Sequence, residues 1–468
     1  MMGSARLKSL TAAASSSQSS TSDDSISPKK PQNTNSCIAS RNGVILTWAD
    51  IYQQYSDEIK DGQEIHKDML SECPPMDSST LLQLLPRGAY TTCRTVRNGT
   101  HIYQFDYHVK RLALSARSIL ETISSTSGEN NTKSKIVSEK TESGDKKEDS
   151  HQTHHHKTPS KVDINGLKIV DVEWERKMAM SCIQSTLDAF RTSSFAGTDN
   201  ITIGDDPDAE FRITLLSTWE ELQQHKNDTT PFQSVLYCHV GLLPQSNSTK
   251  SEPNQKHIKV LVHGHGRDNA LAKDSKWVSD RKQYTAEDPS PKTASSSESL
   301  PTYEEIILIN DYGEMLEGSQ TNFYVVTDRS ESPSESVENP TIITANDGIL
   351  YGSVRDSVLR VCRSHNIAVE LRPPTLADLK HASGVFITST SRMVMPIHEV
   401  VLGDLLLFNN DNNFGDDGGD DDVDTNEKKS NDTLPPSYHY LNCRTTENIR
   451  KWVLEDVETH STPIYLEN

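Results

Sequence analysis

The first residues whose types could do chemistry are Glu317 and Gly318, inside the stretch Glu304 to Val326, EEIILINDYGEMLEGSQTNFYVV. Ile306 to Ile309 form a short apolar run rich in β-branched side chains, which predicts a buried strand, and Asp311-Tyr312-Gly313 supplies turn chemistry to end it. The arm from Met315 to Val326 then returns, so the segment reads as a hairpin. A carboxylate beside a glycine on a strand bound for the core is costly unless something pairs with it. Glu317 is therefore a candidate working acid; the bland alternative is an ordinary hairpin with Glu317 facing water.

Other chemistry-bearing residues are less promising. His263 and His265 alternate with Gly264 and Gly266 and are read as loop residues, because two ligands without a third or a nearby carboxylate make a poor metal site. His151, His154, His155 and His156 fall in a Ser/Thr/Glu/Lys-rich tract that reads as a solvated insertion. The seven cysteines are odd in number, widely spaced and never in a C-x-x-C pair, which indicates neither a disulfide framework nor a zinc site and fits a reducing compartment. No metal is expected.

Composition narrows the partners. A net charge of −20, with no basic patch carrying interleaved aromatics, argues against nucleic acid. No apolar run approaches the roughly 18 residues that suggest a membrane helix, so a soluble protein is expected. Met1 to Ser36 carries Arg6, Lys8, Lys29 and Lys30 among many serines, with Asp23 and Asp24 against a transit peptide. The expectation is a disordered or targeting leader over 1–42 and a cytoplasmic location, with organellar import as the alternative.

The elements that must position Glu317 follow from periodicity. An N-terminal α+β domain is expected over 43–244, with a strand-turn-strand signal from Ala89 through Arg97-Asn98-Gly99 to Phe105 and a helix after His108. Within it, 123–161 reads as a disordered insertion, Val170 to Phe190 as strand then helix, and Phe211 to Leu216 and Ser234 to Val240 as strands. A polar linker is expected over 245–256. The second domain, 257–468, has insertions at 284–300, 328–338 and 409–434, a helix from Val354, a strand over Val385 to Thr390 and a C-terminal helix over Thr445 to Val457. Strands and helices alternate irregularly and hairpins join them, which indicates α+β.

Taken together these pieces resemble the fold-type IV pyridoxal-phosphate enzymes: branched-chain aminotransferases, D-amino acid aminotransferases and aminodeoxychorismate lyases. The resemblance covers roughly 80–122 and 257–400. Glu317-Gly318 followed by Asn322-Phe323 is close to the family's E-G-x-x-x-N-x-F signature, though here the phenylalanine follows the asparagine directly. Gly348-Ile349-Leu350-x-Gly352-x-x-Arg355 resembles G-x-L-x-G-x-x-R, and Phe386 to Thr390 resembles a strand that ends in a phosphate-binding threonine. Tyr90-Thr91-Thr92-Cys93-Arg94 and His108-x-x-Arg111-Leu112 are similar to the small-domain segments.

The resemblance implies a two-domain α+β fold with pyridoxal 5′-phosphate at the domain interface. It places Lys273 as the Schiff-base lysine, with Lys276 as its competitor, and Glu317 as the acid at the pyridine nitrogen. Arg111, Ser353, Val354 and Thr390 fall at phosphate-binding positions; the family commonly has threonine where Val354 stands. Tyr90, Thr92, Ser391 and Arg392 are expected near the substrate. Where the aminotransferases usually have a tyrosine five residues after the lysine, this chain has Val278, and Tyr90-Thr91-Thr92 is nearer the lyase-like pattern. The implied function is an aminotransferase of amino acids and 2-oxo acids, working as a homodimer. The alternatives are an aminodeoxychorismate lyase-like enzyme and a cofactor-free scaffold that keeps the fold.

Overall fold

The computed structural model describes residues 38–46, 51, 77–136, 168–192, 209–221, 232–243, 258–286, 303–328, 340–403, 436–441 and 443–465. Two sheets organise them. The first holds β1 (Ile38–Arg41), β2 (Val44–Leu46), β3 (Ala89–Val96), β4 (His101–Tyr103), β5 (Phe211–Glu221), β6 (Phe232–Leu242) and β17 (Ser461–Pro463), in the order β17-β4-β3-β5-β6-β1-β2. Every pairing in it is antiparallel.

Alternation along β3 and β5 decides which side carries what. Cys93, Ile213 and Leu215 face helices α2 (Phe105–Ile136) and α3 (Val172–Thr192), whose Val109, Leu112, Ala116, Ile183 and Leu187 recur at helical spacing and close one core. Tyr90 and Leu216 point the other way and pack with Leu81 and Leu82 of α1 (Ser78–Leu84). The hairpin expected around Arg97 to Gly99 joins β3 to β4.

The ten-stranded sheet runs β12 (Ala368–Leu371), β11 (Pro340–Thr344), β10 (Asn322–Asp328), β9 (Met315–Gly318), β8 (Glu305–Ile309), β7 (Lys259–His265), β15 (Glu399–Leu402), β16 (Ser437–His439), with β13 (Ala382–Ser389) on the far side of β10 and β14 (Met393–Ile397) beyond it. Parallel pairs (β7 with β8 and β15, β11 with β12) sit among antiparallel ones. Along β10, Phe323 and Val325 enter one core while Tyr324 and Val326 enter another beneath α6 (Ser353–Ser364) and α8 (Arg444–Thr459). Burial on both faces explains why β10 reads as an unbroken apolar run. The short helices α4 (Lys276–Asp280), α5 (Lys282–Ala286) and α7 (Leu376–Lys380) complete the described elements. The architecture is α+β in two domains, as expected.

The Glu304–Val326 hairpin forms between β8 and β9, with Ile309 opposite Met315. Its turn is held by Asn310, whose Oδ1 accepts from the N–H groups of Tyr312 (3.0 Å) and Glu314 (2.9 Å). The returning arm is two strands rather than one, because a tight turn at Gly318 to Thr321 separates β9 from β10.

Five expectations change. Lys168–Val170 is a 3₁₀ turn and not a strand. Helix α2 continues to Ile136, into the tract expected to be an insertion from 123. His263 and His265 lie on β7 and not in a loop, the strand being lengthened by an irregularity in its register against β8 between Val262 and His265. The last strand, β17, crosses back to pair with β4, so the C-terminal segment helps build the first sheet. Residues 38–41 of the leader expected over 1–42 form β1; the rest of it up to 37, the linker 245–256, the insertion 409–434 and the remainders of the other expected insertions, 137–161, 287–300 and 329–338, lie outside the described residues.

Candidate active site

Glu317 lies on β9 just before the tight turn that leads into β10, directly opposite Asn322. A Cβ at Gly318 would collide with Thr321 Oγ1, and one at Gly352 would collide with Asn322 Oδ1, so both motif glycines are required by close approach. The Glu317 carboxylate is buried and fully engaged. Arg267 donates from Nε (3.0 Å) and Nη2 (2.5 Å) to Oε1, and the Leu350 N–H donates to Oε2 (2.9 Å). Burial pushes its pKa up, against the downward pull of Arg267 and that N–H.

Lys273 sits between β7 and α4 on a loop tied to the other sheet. Its N–H donates to Ser115 Oγ (3.1 Å) and its carbonyl accepts from the Tyr90 N–H (2.8 Å). The Ser275 N–H donates to the Gly88 carbonyl (2.9 Å), and Arg87 donates to the Asp274 carboxylate from Nε (3.0 Å) and Nη2 (2.6 Å). The backbone is thereby fixed, and Nζ lies 4.6 Å from the centre of the Tyr90 ring. Burial, then the nearby charges of Arg111, Arg267 and Arg281, lower the pKa of its amine well below the ordinary lysine value, with Glu317 pulling the other way. Lys276 is exposed and paired with Asp280 (2.7 Å), outside the cleft.

Arg111, on α2, is aimed by a small buried network. Its Nη2 donates to Thr91 Oγ1 (2.8 Å) and His108 Nδ1 (3.2 Å), its Nη1 to the Tyr351 carbonyl (3.2 Å), and its buried Nε has no hydrogen-bond partner among the described residues. Nδ1 of His108 can accept only if the ring is neutral, and burial depresses its pKa well below the usual value. Across the cleft α6 begins at Gly352 with no side-chain cap, which leaves its first-turn N–H groups pointing out of the helix. Ser353 Oγ lies 3.2 Å from Thr390 Oγ1 at that end.

Ser391 and Arg392 form the turn between β13 and β14. Arg392 donates to Glu305 Oε2 (3.3 Å) and the Glu304 carbonyl (3.2 Å), and Ser319 Oγ donates to Glu305 Oε1 (2.6 Å). Every site residue expected from the sequence lines one cleft of about 260 Å³ between the sheets: Tyr90, Thr92, Arg111, Lys273, Glu317, Ser353, Val354, Thr390, Ser391 and Arg392. Val278 stands buried in the wall next to Trp277, whose Nε1 donates to the Ser319 carbonyl (2.7 Å). The sequence reading missed Arg267. The signal was present: a glutamate bound for the core needs a cation, and Arg267 closes the His-Gly-His-Gly run at the end of β7.

Residues 294–400 match the amino-transferase class IV family. Among curated proteins the chain is 30% identical over 97 residues to a putative branched-chain-amino-acid aminotransferase of Methanocaldococcus jannaschii, covering 21% of this chain and 31% of that protein. It is 31% identical over 100 residues to a probable branched-chain-amino-acid aminotransferase of Aquifex aeolicus, covering 21% and 29%. The matches thus span about a third of those relatives' length. Among solved structures, a branched-chain aminotransferase from Thermoproteus uzoniensis with norvaline is 14% identical over 92% of this chain and 100% of that one, with a TM-score of 0.47. The PLP form of the Thermobaculum terrenum enzyme is 11% identical over 93% and 100%, with a TM-score of 0.45.

Proposed function

We propose that this chain is a pyridoxal-phosphate-dependent aminotransferase acting on amino acids and 2-oxo acids, with Lys273 as the amine that carries the cofactor. The observation that carries the reading is the placing of a depressed-pKa lysine and a buried glutamate in one cleft, opposite a helix start and an arginine. The residues present fit the group. Arg111 has a buried Nε with no hydrogen-bond partner among the described residues, and the uncapped start of α6 offers N–H groups and a positive dipole end to a phosphate. Ser353 and Thr390 add hydroxyls at the same end.

When bound, pyridoxal phosphate supplies an electron sink for the pair left as the substrate Cα loses its proton. The remaining work falls to the chain. Lys273 attacks an aldehyde only as a free amine, and burial with its positive neighbours Arg111, Arg267 and Arg281 shifts it toward that form. Released from the cofactor, it is the base that takes the Cα proton and the acid that returns it. Glu317, oriented by Arg267 and the Leu350 N–H, supplies the negative charge at the pyridine nitrogen. Arg111 is the phosphate cation, held by Thr91 and neutral His108. Backbone groups at Ser391 and Arg392 receive the substrate carboxylate, with Tyr90 and Thr92 on the facing wall. A homodimer belongs to this reading through the family resemblance alone, and light scattering tests it.

The lyase reading rests on Tyr90-Thr91-Thr92, which is nearer the lyase-like pattern. A single-turnover reaction with an amino donor and no acceptor separates the two. Stoichiometric conversion of the cofactor to its pyridoxamine form is the aminotransferase result; product release with the cofactor unchanged is the lyase result. A purified chain that takes up no pyridoxal phosphate by visible absorbance would contradict both.

A further inference from the structure

Two turns that line the cleft, Gly318 to Thr321 and Thr390 to Arg392, belong to different strand pairs. One buried carboxylate holds both. Glu305, the first residue of β8, has a fully buried side chain and stands behind the cleft wall, outside the lining. Its Oε1 accepts from Ser319 Oγ (2.6 Å) and the Ile306 N–H (3.1 Å), and its Oε2 accepts from Arg392 Nη1 (3.3 Å). Arg392 Nη2 reaches the neighbouring Glu304 carbonyl (3.2 Å).

A buried carboxylate next to the apolar run Ile306 to Ile309 is costly, so where its hydrogen bonds go is informative. Its side-chain partners are both on cleft turns. The Thr390 turn runs into Met393, whose φ of 55° is one that a residue with a side chain keeps only where its surroundings over-determine it. Met393 is buried in the core beneath α6 on one side, while on the other Arg392 is tied to Glu305. The Gly318 turn is as tightly held: the Ser319 N–H donates to the Ile306 carbonyl (2.8 Å), the Ser319 carbonyl accepts from Trp277 Nε1 (2.7 Å), and a Cβ at Gly318 would come within 2.9 Å of Glu305 Cγ.

We propose that Glu305 is a positioning residue for substrate binding: by holding Ser319 and Arg392 at once it fixes the two turns relative to each other and keeps the backbone of Ser391 and Arg392 aimed at the substrate carboxylate. This rests on the aminotransferase reading above, which assigns the carboxylate to that turn. Glu305 acts without touching the substrate. It also engages the Arg392 guanidinium, so the turn presents backbone groups to the ligand.

The sign of one substitution separates positioning from simple charge. Glu305→Gln keeps an acceptor for Ser319 and removes a negative charge beside Arg392, so a purely Coulombic role predicts tighter binding of an anion, whereas positioning predicts weaker binding. Calorimetry on the full chain with 4-methylpentanoate and its neutral amide as probes reads the difference. The parent should prefer the carboxylate by about tenfold, the scale of one charge-assisted contact. Glu305→Gln should reduce that ratio to about twofold, with amide affinity and pyridoxal phosphate uptake each changed less than about twofold, a selectivity that a merely structural role would not give. Arg392→Met should lower the ratio similarly, and the double variant should be no worse than either single one. Should Glu305→Gln not fold, Arg392→Met, at a partly exposed position, carries the comparison alone. A variant that keeps the full ratio or binds the carboxylate more tightly, additive losses in the double variant, or a parent that does not distinguish the probes would overturn the proposal. Cofactor uptake is read by visible absorbance in the same preparations. A chain that shows the Glu305 effect but takes up no cofactor supports the proposal and contradicts the cofactor reading.

Discussion

Arg267 lays two guanidinium nitrogens on a single oxygen of Glu317, at 3.0 and 2.5 Å, and leaves the other oxygen to the Leu350 N–H. Both side chains are buried, with 9% and 4% of their surfaces exposed. A buried pair of this kind is weak evidence for stability, but removing one partner strands a charge. Arg267→Met should therefore destabilise the chain by about 3–5 kcal/mol. The Arg267→Met/Glu317→Gln double variant should recover much of the loss. Denaturant unfolding of the two single variants and the double variant measures the coupling, and simple additivity would contradict it.

The Lys273 amine gives a pH expectation. Its depressed pKa means that the neutral, nucleophilic form persists to lower pH than in an ordinary lysine. Capture of pyridoxal phosphate should therefore fall on acidification with a midpoint well below pH 10.5. Arg281→Met and Arg267→Met each remove a positive neighbour and should shift that midpoint upward. A capture profile that rises only near the ordinary lysine value would contradict the assignment.

Much of this was legible in the sequence, for identifiable reasons. The unbroken apolar runs of β10 and β13, buried on both faces, and the close-packed glycines at 318 and 352 are local signals, and they located the strand end that carries Glu317 and the helix start that faces it. That a buried Glu317 needs a cation was legible; that Arg267 is the cation was not, because the pairing is set by register. β7 extends past Val262 through an irregular stretch, and only that delivers Arg267 to Glu317, which is 50 positions away in the chain. The return of β17 to the first sheet is likewise a tertiary event, since Ser461 to Pro463 carries no strand signal strong enough to name its partner.

Far from the cleft, Glu175 is buried in the first turn of α3, accepting from Ser217 Oγ on one oxygen while the other has no hydrogen-bond partner among the described residues. Burial pushes its pKa up to about 8. A carboxyl whose folded pKa lies above its unfolded value contributes stability that is present below the unfolded pKa and lost as pH rises through the folded one. Glu175→Gln, which keeps the acceptor but cannot ionise, should match the parent at about pH 5 and exceed it in stability by about pH 9. Thermal unfolding across that range checks it; parallel curves for the two proteins would contradict it.

The central claim is that Lys273 carries the cofactor, and reductive trapping tests it most directly. The chain is incubated with pyridoxal phosphate, reduced with borohydride, digested and mapped by mass spectrometry. The account predicts one phosphopyridoxyl group, on Lys273, in the peptide containing Ala272-Lys273-Asp274-Ser275, and none after Lys273→Ala. Label on Lys276, which is exposed and paired with Asp280 (2.7 Å), or label on no lysine at all, would contradict it.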